Sequence, residues 1–99
     1  MSFARAGLLM SAGVLCWALH FAAIYGFAGV ACARGYAQAV PWAVLAITVV
    51  ASVGAAAVMR VSLRRRESFE HWLAAALAGA ALIAILWEAL PALLVPACA

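Results

Sequence analysis

The chain has 99 residues, of which 72% are apolar and only 9% charged, with a net charge of +3 and a mean hydropathy of +1.19. A soluble domain averages about 45–50% apolar and about 25% charged residues. So short a chain cannot hide that much apolar area in one core. A soluble enzyme or nucleic-acid-binding module is therefore excluded, and an integral membrane protein is expected.

All the positive charge is arginine, and the acidic residues are three glutamates, without Lys, Asp or Asn. The arginines lie beside apolar runs, where topology and anionic lipid headgroups explain them without a nucleic-acid partner. The abundance of Ala and the replacement of Lys by Arg fit a GC-rich bacterial genome. Three apolar segments predict three transmembrane helices, at about residues 7–31, 41–62 and 72–95. Each exceeds the roughly 20 residues that cross a hydrocarbon core of about 30 Å. Helices are required because backbone polar groups in lipid must be satisfied within the segment, and three strands cannot close a barrel. The expected architecture is a single three-helix transmembrane domain over residues 1–99, with no internal repeat.

The first span is about twice as long as a signal-peptide core of about 7–15 residues, which predicts a retained helix. It holds "CWALHFAAIYGF", with Cys16, Trp17, His20 and Tyr25 where plain Leu and Ala would serve. The loop "CARGYAQAVP" follows, with Gly35 as its turn and Pro41 at a helix start. Between Trp42 and Met59 the second span carries only Thr48 and Ser52 as polar groups. Both can bond to their own helix backbone, so this span reads as plain packing or lipid-facing surface. The loop "LRRRESFEHW" leads into the third span. Both loops are short enough to force antiparallel neighbours.

Arg60, Arg64, Arg65 and Arg66 flank the second loop and Arg5 lies near the N-terminus, whereas the first loop has only Arg34. The positive-inside rule then places the N-terminus and the basic loop in the cytoplasm and the C-terminus in the periplasm. This makes the chain a multi-pass protein of the bacterial inner membrane. Tyr36, Trp42, Phe69 and Trp72 fall at the expected interfaces, where amphipathic rings prefer to sit.

The third span contains Glu88, with Trp87 beside it and Pro91 one turn on. At 1.5 Å per residue, His20 lies roughly 20 Å from the cytoplasmic end of its span and Glu88 roughly 22 Å from the same end of its own. An isolated carboxylate at that depth costs several kcal/mol, so Glu88 must be protonated or find a partner. A His20–Glu88 hydrogen bond is expected, as interhelical glue, as a contact to a partner subunit, or as part of a proton relay. Trp17, Tyr25 and Trp87 are its expected aromatic neighbours. Pro91 leaves the Trp87 carbonyl without its helical donor and favours a kink.

Direct cofactor binding is not expected. A membrane b-type haem usually takes two histidines, and His71 lies far from His20 in depth. A single His can ligate a pigment magnesium, as in antenna chains, but those usually have Ala four residues earlier, where this chain has Cys16. This leaves His20 as a weak pigment-ligand candidate. No CxxC, zinc spacing, phosphate loop or nucleophile–base set is present in the sequence, so no enzyme is expected. Cys32 and Cys98 both fall on the periplasmic side at similar height, which predicts a disulfide between them. Cys16 reads as a small packing residue. Small residues recur at every fourth position at Ala18, Ala22 and Gly26, at Ala75 and Gly79, and at Ala76, Ala80 and Ala84, a spacing that lets helices approach.

The segments "WALHFAAIYGFAGVAC" and "WEALPALLVPAC" together resemble a group of small bacterial membrane proteins. Those carry Trp-x-x-His-Phe in the first helix and Trp-Glu-x-x-Pro near the C-terminus, and are associated with haem–copper terminal oxidases. The resemblance falls on Trp17, His20, Phe21, Tyr25 and Cys32, then on Trp87, Glu88, Pro91 and Cys98. The Gly-Pro usual before the first Trp is replaced here by "SAGVLCW". The resemblance implies a non-catalytic accessory or assembly subunit beside a respiratory oxidase, with oxidase core subunits and lipid as partners. Any haem or pigment would then belong to the partner complex. A photosynthetic reaction-centre or antenna subunit, and a small proton-coupled transport component, are the alternatives.

An Arg65→Cys probe in a chain otherwise lacking cysteine should react with membrane-impermeant maleimide only after the cytoplasmic face is opened. Labelling of intact spheroplasts would invert the topology.

Overall fold

In a computed structural model of the chain, residues 3–65, 68–96 and 98 are described. Among them are three long helices and no strand: α1 (Phe3–Arg34), α2 (Val40–Arg64) and α3 (Phe69–Leu94), with a 3-10 turn at Ala37–Ala39 before α2. All three are long and apolar enough to cross a membrane, so this is a multi-pass membrane protein. Each helix packs against both of the others. The bundle measures 50 × 22 × 15 Å. α1 and α2 outrun at both ends the apolar windows read from sequence, and α3 does so at its start, because a helix need not stop where hydrocarbon gives way to headgroups.

The first connection is built by glycine. Gly35 takes a positive φ of 82°, a conformation a side chain would resist. The Tyr36 amide then reaches back to the Ala31 carbonyl at 3.0 Å, which satisfies a carbonyl that the helix end leaves orphaned. The Tyr36 ring meets Phe27 edge-on, with centroids 6.2 Å apart. Pro41 sits in the first turn of α2, where its missing N–H costs nothing. At the other end of the bundle, Ser68 caps α3 in extended conformation, and its hydroxyl lies 2.7 Å from Nδ1 of His71. Tyr36, Trp42, Phe69 and Trp72 all lie at or next to helix ends. Phe69 and Trp72 stack with centroids 5.9 Å apart. Pro91 does not end α3, which runs on to Leu94.

The buried positions follow a seven-residue rhythm. On α1 they are Ala6, Gly13 and His20, with Ile24 and Ala31 as a second row. On α2, Thr48, Ala55 and Ser62 keep the same interval. On α3, Ala74 pairs with Ala81 and Ala78 with Ile85. A seven-residue repeat holds one seam of a helix against its neighbours over many turns. Most seam residues are small, as suits helices that associate in lipid by close backbone approach.

Of the four-residue stripes read in the sequence, Ala75 and Gly79 do pack inward, Gly79 against Met59 of α2, whereas Ala76 and Ala80 are exposed. Ala18, Ala22 and Gly26 are exposed, so that face of α1 looks outward. Gly13 makes the closest approach instead: a Cβ placed there would lie 2.6 Å from the Ala78 Cα. Cys16 fills space above Gly54, whose added Cβ would meet its Sγ at 3.3 Å. A close contact marks each pair of helices. Position 16 on α1 meets 54 on α2, and 59 on α2 meets 79 on α3, while 13 on α1 meets 78 on α3.

Gly13→Ala should lower the stability of the detergent-solubilised protein by about 1–3 kcal/mol, because backbone must move to admit the methyl. Gly26→Ala, facing open space, should leave thermal unfolding unchanged or raise it slightly.

Candidate functional site

His20 sits at the crossing of the three helices. The seven-residue register of α1 that buries Ala6 and Gly13 also turns position 20 inward, and the residue is 1% exposed. On α2 the same register brings Thr48 to face it, and Nε2 of His20 lies 2.9 Å from the Thr48 Oγ1. This bond joins α1 to α2 in the apolar middle of the bundle. On α3, Glu88 directs Oε2 towards Nδ1 of His20 at 3.9 Å. The imidazole therefore faces a polar group on each of the other two helices.

Two sequence expectations change here. The hydrogen bond of His20 goes to Thr48, whereas the approach to Glu88 is an ion-pair distance, longer than a hydrogen bond. The second span is accordingly not plain packing or lipid-facing surface at Thr48, which is buried and holds His20. A threonine hydroxyl can bond its own helix or a neighbour, and only the packing register chooses between them. The signal that could have found it is the seven-residue interval shared by Thr48, Ala55 and Ser62.

The aromatic residues lie elsewhere. Trp17, Phe21 and Tyr25 form a ridge along the outside of α1, with centroids 6.1 Å apart between the first two and 4.8 Å between the last two. All three are exposed on the bundle surface. Trp87 projects outward from α3 and is 75% exposed, although its neighbour Glu88 has a side chain only 13% exposed. Consecutive positions on a helix point about 100° apart, which sends the two in different directions.

Cys32 and Cys98 form a disulfide, with Cα atoms 5.6 Å apart, and it ties the end of α1 to the chain beyond α3. Cys16 is a free thiol, partly buried. Arg60, Arg64 and Arg65 are exposed at the last turn of α2 and just after it. Arg66, the fourth residue of the expected basic loop, lies outside the described residues. Among the described residues no three His, Cys, Asp or Glu side chains gather as a metal-ion site.

Chemically, the centre offers one imidazole, one carboxyl and one hydroxyl in an apolar setting. It can hold helices together and it can hold a proton. His20 also borders an apolar groove of about 480 Å³ between α1 and α2, shared with Cys16, Leu19, Ile47 and Gly54. Its ring nitrogens, however, are directed at Thr48 and Glu88. Comparison with family models, with curated proteins and with solved structures finds no match to this chain.

Thr48→Val keeps the side-chain shape but strands the His20 nitrogen, and should cost about 1–3 kcal/mol in thermal or denaturant unfolding. Glu88→Ala should likewise destabilise far more than Glu70→Ala, since Glu70 is exposed on the first turn of α3. Equal tolerance at the two glutamates would remove Glu88 from the polar centre.

Proposed function

We propose that this chain is a small, non-catalytic accessory or assembly subunit of a bacterial respiratory membrane complex, a haem–copper cytochrome c oxidase. The observation that carries the reading is the division of labour between inside and outside. His20, Thr48 and Glu88 turn in on one another, which leaves a largely apolar outer surface carrying the ridge of Trp17, Phe21 and Tyr25. Such a surface suits packing against the helices and lipids of a larger membrane partner.

The oxidase assignment rests on the resemblance of "WALHF" and "WEALP". Its support is that these two separate segments supply His20 and Glu88, which come within 3.9 Å. In this reading the shared His20, Glu88, Cys32 and Cys98 fix the subunit's own fold, and the shared aromatic ridge of Trp17, Phe21 and Tyr25 meets the oxidase core. Haem stays with the partner, and the subunit acts by steadying the complex. The chain lies in the inner membrane with antiparallel helices, N-terminus in the cytoplasm and C-terminus in the periplasm. The opposed order of contacts between α1 and α2, where 16 meets 54 and 20 meets 48, agrees with this, and so does a disulfide at the periplasmic end, in an oxidising compartment. Pigment ligation by His20 is disfavoured, because both ring nitrogens are directed at side chains within the bundle.

The tagged protein, extracted in mild detergent, should co-purify with oxidase subunits and show haem a bands in the visible spectrum. Alanine at Trp17, Phe21 and Tyr25 together should reduce that recovery while helical content is retained. Bacteriochlorophyll bands would assign the chain to a photosynthetic assembly instead. A colourless protein running alone would overturn the accessory-subunit reading.

A further inference from the structure

We propose that His20 and Glu88 form a proton-binding site inside the membrane, one proton being held between Nδ1 of the imidazole and the carboxyl group. The proposal does not depend on which complex the chain joins.

The geometry leaves few proton inventories open. Nε2 of His20 is engaged with the Thr48 hydroxyl at 2.9 Å. Nδ1 faces Oε2 of Glu88 at 3.9 Å, and neither Nδ1 nor either Glu88 oxygen makes a hydrogen bond to a described residue. The imidazole side chain is fully buried and that of Glu88 nearly so.

Suppose first that the pair holds a neutral imidazole and an ionised carboxylate. If the ring proton is on Nε2, a bare lone pair faces a carboxylate: two acceptors with no donor between them. If the ring proton is on Nδ1, a hydrogen bond can form, but a full negative charge stays in hydrocarbon with its second oxygen unpaired. Both states are expensive where water cannot reach. One added proton removes the difficulty. Either a neutral carboxylic acid donates to Nδ1, or an imidazolium donates from Nδ1 to a carboxylate. In each case donor meets acceptor and the pair carries no net charge. A modest side-chain rotation brings 3.9 Å to hydrogen-bond distance.

Among the described residues, no other group can do this balancing at that depth. On α1 the other titratable side chains within the span are Cys16 and Tyr25, neither of which is cationic at neutral pH. From α2 the facing group is the hydroxyl of Thr48, and the nearest arginine in that sequence, Arg60, lies roughly 18 Å further along the helix. Arg34 lies roughly 21 Å along α1 from His20. α3 contributes Glu88 itself, and its only basic residue, His71, is near the opposite end. No arginine among the described residues reaches this place, and a proton can.

The test uses the full chain in lipid nanodiscs near pH 7, where an exposed Glu is ionised and an exposed His mostly neutral. The protein is labelled with 13C at the Glu carboxyl carbons and with 15N in the His rings. Solid-state NMR selects the Glu signal close to a His nitrogen and reads both protonation states. A protonated carboxyl beside a neutral imidazole is the expected result, and a carboxylate beside an imidazolium supports the shared proton equally. A carboxylate beside a neutral imidazole would overturn the site. Glu88→Gln, neutral and of the same shape, should retain the fold and lose the infrared band of a protonated carboxyl. Persistence of that band in the variant would also refute the proposal. The wild-type measurement needs no variant to fold.

Discussion

A polar ring in hydrocarbon must be answered by polar groups from its own protein, and His20 is where that demand falls. Its own helix does not meet it here, since both ring nitrogens are directed at the neighbouring helices. Thr48 from α2 and Glu88 from α3 supply the partners, so the ring sets the three helices in register. A slip of one residue on any helix would turn one of these groups towards lipid. Single interhelical hydrogen bonds of this kind contribute only about 0.6–2 kcal/mol. Their weight lies in specificity, since a seam made mostly of alanine would otherwise accept several registers.

Two further contacts bracket this centre. On one side, Gly13 lets the backbone of α1 approach that of α3 at Ala78, closer than any side chain would permit. On the other, the Cys32–Cys98 disulfide closes the pair covalently. The polar centre lies between a close backbone contact and a covalent tie, so α1 and α3 are held along most of their length. α2 is fastened to them through Thr48 and through the small residues of its own seam. With the interior committed to holding itself together, interaction with other molecules falls to the outside of the bundle. The aromatic ridge of α1 is the feature of that surface on which the proposed accessory role rests.

The polar centre also links packing to proton chemistry. A bundle whose central contact requires a proton cannot be indifferent to losing it, since the loss would leave an unbalanced charge between α1 and α3. The position of Glu88, deep in its span and facing His20, ties that linkage to the packing of α1 against α3.

Much of this was legible from residue order. Composition required a membrane protein, and run lengths set three helices. Gly35 and Pro41 marked the first turn, because left-handed backbone and a missing N–H are properties of single residues. Cys32 with Cys98, and His20 with Glu88, could be matched by counting depth, since a helix rises by a constant step. What counting could not supply was rotation about each helix axis. Depth alone does not say that Thr48 faces His20, that Gly13 lies against Ala78, or that Trp17, Tyr25 and Trp87 look outward. In an alanine-rich chain nearly every face is small enough to pack, so the stripe through Ala18, Ala22 and Gly26 looked as suitable as the real seam. The choice between them was made only when all three helices were packed together, because only then do the polar groups of each span have to find one another.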